Sequence, residues 1–125
     1  MKFLLDTNFL MVPGQFRADI YSQLRLNGRA ELYAVDLSVQ ELEKIAGGRG
    51  RNGANARLAL KLMKKEGVKI VKSGKITDAD EAIRRIARRE GMVVCTADKR
   101  LKFELERRDI RVVSLRQKKY LTPVD

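Results

Sequence analysis

Residues 3–8, Phe3-Leu4-Leu5-Asp6-Thr7-Asn8, read as a short buried strand that stops on an aspartate. A carboxylate directly after such a strand incurs a desolvation cost unless something pairs with it, so Asp6 stands out as a functional residue from the start. Further along, apolar runs of strand length alternate with longer stretches of helical period, the pattern of a parallel α/β sheet.

After Asp6 a turn containing Pro13 and Gly14 leads to a helix carrying Ile20, Tyr21 and Leu24 that ends at Gly28. A second strand is predicted over roughly Leu32 to Leu37, after which Ser38 opens a short helix through Ile45, stopped by Gly47 and Gly48. The following GGRGRNG is expected to be a basic, glycine-rich loop. Leu58, Ala59, Leu62 and Met63 share one face of a helix from Ala54 to Glu66, with Gly67 as its C-terminal cap, and VKIV supplies the next strand. Thr77 begins a helix that buries Ala79, Ala82, Ile83, Ile86 and Ala87 and is capped by Gly91. Met92 to Cys95 form a buried strand, Leu101 and Leu105 mark a helix after Asp98, and IRVVSL is a last strand before a short basic tail at about 116–125.

Composition narrows the chemistry. A chain of 125 residues with 44% hydrophobic content suits one domain able to bury a core without disulfides. The only cysteine, Cys95, sits in an apolar run and reads as a small core residue, so neither an internal disulfide nor a thiolate zinc cage is available. Histidine is absent, which removes histidine general bases, Ser-His-Asp hydrolysis and histidine metal sites. A net charge of +11 makes polyanions the natural partners, nucleic acid ahead of an anionic membrane surface, although such charge also serves solubility or ion-pair networks. The opening apolar run is too short for a signal peptide and no stretch is long enough to span a bilayer, so a cytoplasmic protein without membrane partners is expected.

Asp6, Glu41, Asp80 and Asp98 share one address, each following a strand or opening the helix after it, and in a parallel sheet those places converge. Each also has an ordinary reading. Ser38 with Glu41 has capping-box spacing, Thr77 with Asp80 repeats it, Asp78 suits a helix N-terminus, and Asp98 suits helix entry. As a set, oxygen-only ligands suit hard cations such as Mg2+ or Mn2+ better than zinc.

Four segments together, LLDTN, SVQELEKI, DADEAIRRIA and VVCTADKRL, resemble the PIN-domain nucleases along almost the whole chain. The resemblance implies a PIN-like three-layer α/β/α sandwich around a mostly parallel twisted sheet. It also implies a metal site that hydrolyses phosphodiester bonds in single-stranded or flexible RNA. Asp6, Glu41, Asp80 and Asp98 would be the catalytic and metal-binding carboxylates, holding one or two Mg2+ or Mn2+ ions, with Thr7, Asn8, Thr96 and Asp78 in support. Arg100 stands where related toxin nucleases often carry another acidic residue, which bears on the number of ions.

Arg49, Arg51, Arg57, Arg100, Arg116, Lys118 and Lys119 are candidate phosphate contacts, and Tyr120 could stack on a base or pack onto its own domain. The ending RQKKYLTPVD and the segment TADKRLKFELERRDIRVVSL resemble the branch that processes ribosomal RNA. A toxin-like endoribonuclease held by a partner protein, and a non-catalytic RNA-binding ribosome assembly factor, are the alternatives. The resemblance also allows a homodimer and ribosome assembly factors as partners.

Overall fold

The computed structural model describes residues 1–26 and 28–124. Strand β1 (Lys2–Leu5) runs through the middle of a five-stranded parallel sheet, with β2 (Glu31–Val35) and then β3 (Lys69–Val71) on one side, and β4 (Val93–Cys95) and then β5 (Val112–Val113) on the other. The chain fills one side first and then returns to β4 beside β1, so the strand order reverses at the β1/β4 boundary. A crevice opens beyond the carboxyl ends of strands at such a reversal.

Alternation along the strands builds two cores. Phe3, Leu5, Leu32, Ala34, Val93 and Cys95 face one way, where α1 (Thr7–Leu10), α2 (Val12–Phe16), α3 (Ile20–Leu24), α4 (Asp36–Ala46) and α5 (Gly50–Lys65) cover them. Leu4, Val35, Val94 and Val112 face the other way, against Ile83 and Ile86 of α6 (Ala79–Glu90) and Leu101 and Leu105 of α7 (Lys99–Glu106). The expected α/β sandwich is therefore present. Gly91 ends α6 in the left-handed region at φ 65°, which is why a glycine serves there.

Several local expectations are corrected. Pro13 and Gly14 lie inside α2, not in a turn. Pro13 occupies the first helical turn, where its missing N–H costs nothing, and a Cβ on Gly14 would meet Asn55 Oδ1 at 2.7 Å across the α2/α5 contact. Helix α4 starts at Asp36, two residues before Ser38, so Ser38 is a fully buried interior residue and no capping box with Glu41 exists. The GGRGRNG segment is mostly helix, because α5 begins at Gly50, and the buried face of α5 is Gly53, Ala56, Ala59 and Met63 with Leu58 left exposed. Asp78 caps α6, its carboxylate accepting from the Glu81 N–H at 3.0 Å, which displaces Thr77 from that role. Ala79 is only half-buried.

The C-terminal region is not a simple tail. β6 (Leu115–Arg116) and β7 (Tyr120–Leu121) form an antiparallel hairpin. Gln23 of α3 clamps it, donating to the Lys119 carbonyl at 2.8 Å and accepting from the Leu121 N–H at 2.9 Å. Leu115 and Leu121 pack on the core while Tyr120 is exposed. Among the described residues, no helix is long and apolar enough to cross a membrane.

Candidate active site

At the reversal point a cleft of about 450 Å³ is lined by Asp6, Glu41, Asp78, Asp80 and Asp98, together with Thr7 and Asn8. Four separate connections deliver these groups: Asp6 leaves β1, Glu41 rides on α4 after β2, Asp80 lies in the first turn of α6 after β3, and Asp98 follows β4. All four carboxylates singled out in the sequence are thus brought to one place.

Asp6 is the buried member, only 4% exposed. It caps α1, Oδ1 accepting from the Phe9 N–H at 3.0 Å, and Oδ2 accepts from the Thr96 hydroxyl at 2.5 Å. Burial nonetheless pushes its pKa up to about 7; those two hydrogen bonds oppose the rise, and the charges of Asp80 and Asp98 add to it. Asp80 stands at the solvent-open rim, and its pKa is also raised, by partial desolvation first and then by Asp78 and Asp98. Asp98 is both a cleft residue and the α7 cap, accepting from the N–H groups of Arg100 at 2.9 Å and Leu101 at 3.2 Å.

The supporting residues tie β1 to β4. Thr96 Oγ1 accepts from the Asp98 N–H at 3.0 Å while donating to Asp6, and Asn8 Oδ1 accepts from the Ala97 N–H at 3.0 Å. Thr7 lines the cleft. Asp36 has the same post-strand address, yet it serves the frame: its carboxylate accepts from the Ser73 N–H at 3.0 Å and from the Ser73 hydroxyl, which hold its pKa below the usual range. Position after a strand is therefore not sufficient to make a site residue.

Gln15, Asn52, Met11 and Ile45 also line the cleft and carry no motif of their own. Asn52 could have been found only by extending α5 back to Gly50. None of Arg49, Arg51, Arg57, Arg100, Arg116, Lys118 and Lys119 lines it. Arg57 has a structural task, donating to the Ala46 and Gly48 carbonyls at the end of α4. Lys118 Nζ lies 5.5 Å from the Phe16 ring centroid, and Arg100 is 3.6 Å from Glu104.

Among the described residues, no three acidic side chains converge tightly enough to form a ready-made ligand cage. They rim the cleft instead. That arrangement fits magnesium or manganese, since Mg2+ keeps much of its water and takes one or two carboxylates along with substrate phosphate oxygens. Repelling carboxylates with only oxygen donors are the chemistry such a cation relieves.

The family described as PIN like domain matches residues 3–118, and the chain belongs to it. It is 32% identical over 117 residues to Ribonuclease VapC9 of Archaeoglobus fulgidus, covering 93% of this chain and 84% of that one. It is likewise 32% identical over 127 residues to Ribonuclease VapC4 of Methanocaldococcus jannaschii, covering 95% and 93%. Among solved structures it resembles the PIN domain endonuclease Utp24, with a TM-score of 0.78 and 26% identity over 99% of this chain and 93% of that one. VapBC-1 from nontypeable Haemophilus influenzae shares the fold at a TM-score of 0.63 and 19% identity, over 90% of this chain and 96% of that one.

Proposed function

We propose that this chain is a divalent-metal-dependent endoribonuclease acting in the cytoplasm as one PIN-like domain, with Asp6, Glu41, Asp80 and Asp98 as its catalytic carboxylates. The observation that carries the reading is the convergence of a buried aspartate and three further carboxylates, from four separate connections, in one cleft of a chain with net charge +11. One or two Mg2+ or Mn2+ ions held by these carboxylates would polarise the scissile phosphate and lower the pKa of a bound water. Asp6, fixed by Thr96 and the Phe9 N–H, supplies the rigid ligand; Asp80 and Asp98 supply ligands at the rim. Glu41 completes the site or orients the attacking water, and Thr7, Asn8 and Asp78 hold the surrounding geometry. Hydrolysis leaves 5′-phosphate and 3′-hydroxyl ends.

The preferred substrate is precursor ribosomal RNA, a reading that rests on the resemblance of RQKKYLTPVD and TADKRLKFELERRDIRVVSL to the branch that processes ribosomal RNA, while the likeness to the endonuclease Utp24 supports internal cleavage. Ribosome assembly factors, and a second copy of the chain, are the partners this role would call for. A second reading is a toxin-like endoribonuclease restrained by a partner protein, which keeps the ribonuclease activity that VapC9 and VapC4 carry in their names. Purified wild type and Asp6→Asn, incubated with single-stranded RNA and with a ribosomal precursor in magnesium, manganese or chelator, test both. Metal-dependent cutting by wild type alone supports the nuclease, and one mapped precursor site favours processing over general cleavage. Equal RNA binding by both proteins with no cutting in any metal overturns the enzyme in favour of an RNA-binding assembly factor.

A further inference from the structure

A second groove of about 450 Å³ lies on the other side of Asp98 from the cleft, between α7 and the C-terminal hairpin, with Asp98, Lys99, Lys102, Ser114, Arg116 and Thr122 among its lining residues. Its charged residues beyond Asp98 are all cations. Lys99 and Arg116 are exposed and Lys102 is half-buried. Among the described residues, no carboxylate is ion-paired to any of the three, in contrast to Arg84 of α6 and Arg100, which both approach Glu104.

The groove has a firm wall. Ser114 and Thr122 close the hairpin base, the Ser114 N–H donating to Thr122 Oγ1 at 2.9 Å and the Thr122 N–H to the Ser114 carbonyl at 2.9 Å. The Gln23 clamp fixes the other end of the hairpin on α3. Arg116 is therefore presented by an anchored strand opposite the lysines of α7.

We propose that this groove is a phosphate-backbone subsite, in which Lys99, Lys102 and Arg116 hold the strand of single-stranded RNA that leaves the catalytic cleft past Asp98. The inference rests on the nuclease reading for the direction of the strand, and it assigns to the hairpin a substrate-positioning task. An anionic cleft repels the polyanion it cuts, so affinity must come from cations set just outside it. The groove provides three, and Asp98 lines both it and the cleft.

The test is binding in chelator, where nothing is cut, of a tetranucleotide and of a single-stranded RNA several times longer, to wild type and to Lys102→Ala/Arg116→Ala. The double variant is expected to bind the longer RNA about tenfold more weakly, and its log-affinity versus log-salt slope to fall by roughly 1.4, as for two lost single-strand phosphate contacts. Tetranucleotide binding should change little. Lys61→Ala/Lys64→Ala removes the same charge from the far end of α5, about 14 and about 18 Å along the helix from cleft residue Asn52, and should leave both affinities nearly intact. Equal weakening by the two double variants, or an unchanged salt slope, overturns the subsite. Because the readout is binding, its failure is separable from failure of the nuclease reading, which is judged by cutting. If wild type does cut, the groove variant should raise KM for long RNA and spare kcat.

Discussion

The Thr96 hydroxyl stands 2.5 Å from Asp6 Oδ2 and accepts the Asp98 N–H at 3.0 Å, so one side chain couples the buried carboxylate after β1 to the cap residue after β4. Removing the hydroxyl with Thr96→Val leaves Asp6 with a single hydrogen-bond donor and releases the Asp98 backbone. Outer-shell losses of this kind cost about 10- to 100-fold in metal affinity or activity. Cleavage by Thr96→Val should fall within that range while Thr96→Ser, which keeps the oxygen, stays near wild type. A Thr96→Val enzyme as active as wild type would show that the hydroxyl does not position Asp6.

Asp6 should oppose stability when no cation is bound. Its carboxyl titrates at about 7 when folded against an ordinary value of 3.8, so folding favours the protonated form. The stability tied to this group is complete below pH 4 and lost as pH rises through 7. Asp6→Asn should therefore melt higher than wild type in chelator at pH 8, by on the order of 2 kcal/mol, since the amide only partly replaces the Thr96 contact. The gap should close towards pH 4, and magnesium should narrow it at pH 8 by favouring folded wild type. A variant that melts at or below wild type throughout this window would refute the desolvation account.

The sheet was legible because β1, β4 and β5 at its centre and far side are buried on both faces and read as continuous apolar runs, and because Gly67 and Gly91 mark helix ends that pattern alone leaves vague. The carboxylate positions were legible for a topological reason: parallel strands deliver their carboxyl ends to one edge. What escaped depended on tertiary contact. Asp36 looks like a site residue by position and becomes a clip only because Ser73 lies beside it at the end of β3. The hairpin at 115–121 has strands of two residues, too short to carry a period, and it is held by Gln23, almost a hundred positions away. Gly50 and Gly53 read as loop, yet Gly53 is buried within α5 where it packs on Gly48 of the link from α4.

Ser38→Ala separates the two accounts of the α4 start. A serine capping the helix would cost about 1 kcal/mol on replacement by alanine. In the structure Ser38 is an interior position, and its buried hydroxyl has no hydrogen-bond partner among the described residues. Alanine there removes an unsatisfied polar group and improves helix propensity, so a gain of about 0.5–1.5 kcal/mol is expected in denaturant unfolding. A loss of about 1 kcal/mol would restore the capping assignment, and with it the ordinary explanation for Glu41.

Gly53→Ala sets two effects of opposite sign against each other at the cleft wall. Helix propensity alone favours alanine over glycine by about 1 kcal/mol inside a helix such as α5. A Cβ at this position, however, would overlap the Gly48 carbonyl oxygen and lie 2.8 Å from its carbon, and a backbone group cannot swing aside as a side chain can. Relief requires the link between α4 and α5, which carries Gly48, to shift off the α5 surface, at an overpacking cost of about 1–3 kcal/mol. The net should be destabilising, seen as a lower midpoint in urea. Because Asn52 adjoins Gly53 and Ile45 lies just before the α4 end, the same shift should widen the cleft and reduce cleavage more than stability alone explains. A Gly53→Ala protein that is more stable than wild type would mean that propensity governs, and that the close approach of α4 and α5 does not shape the site.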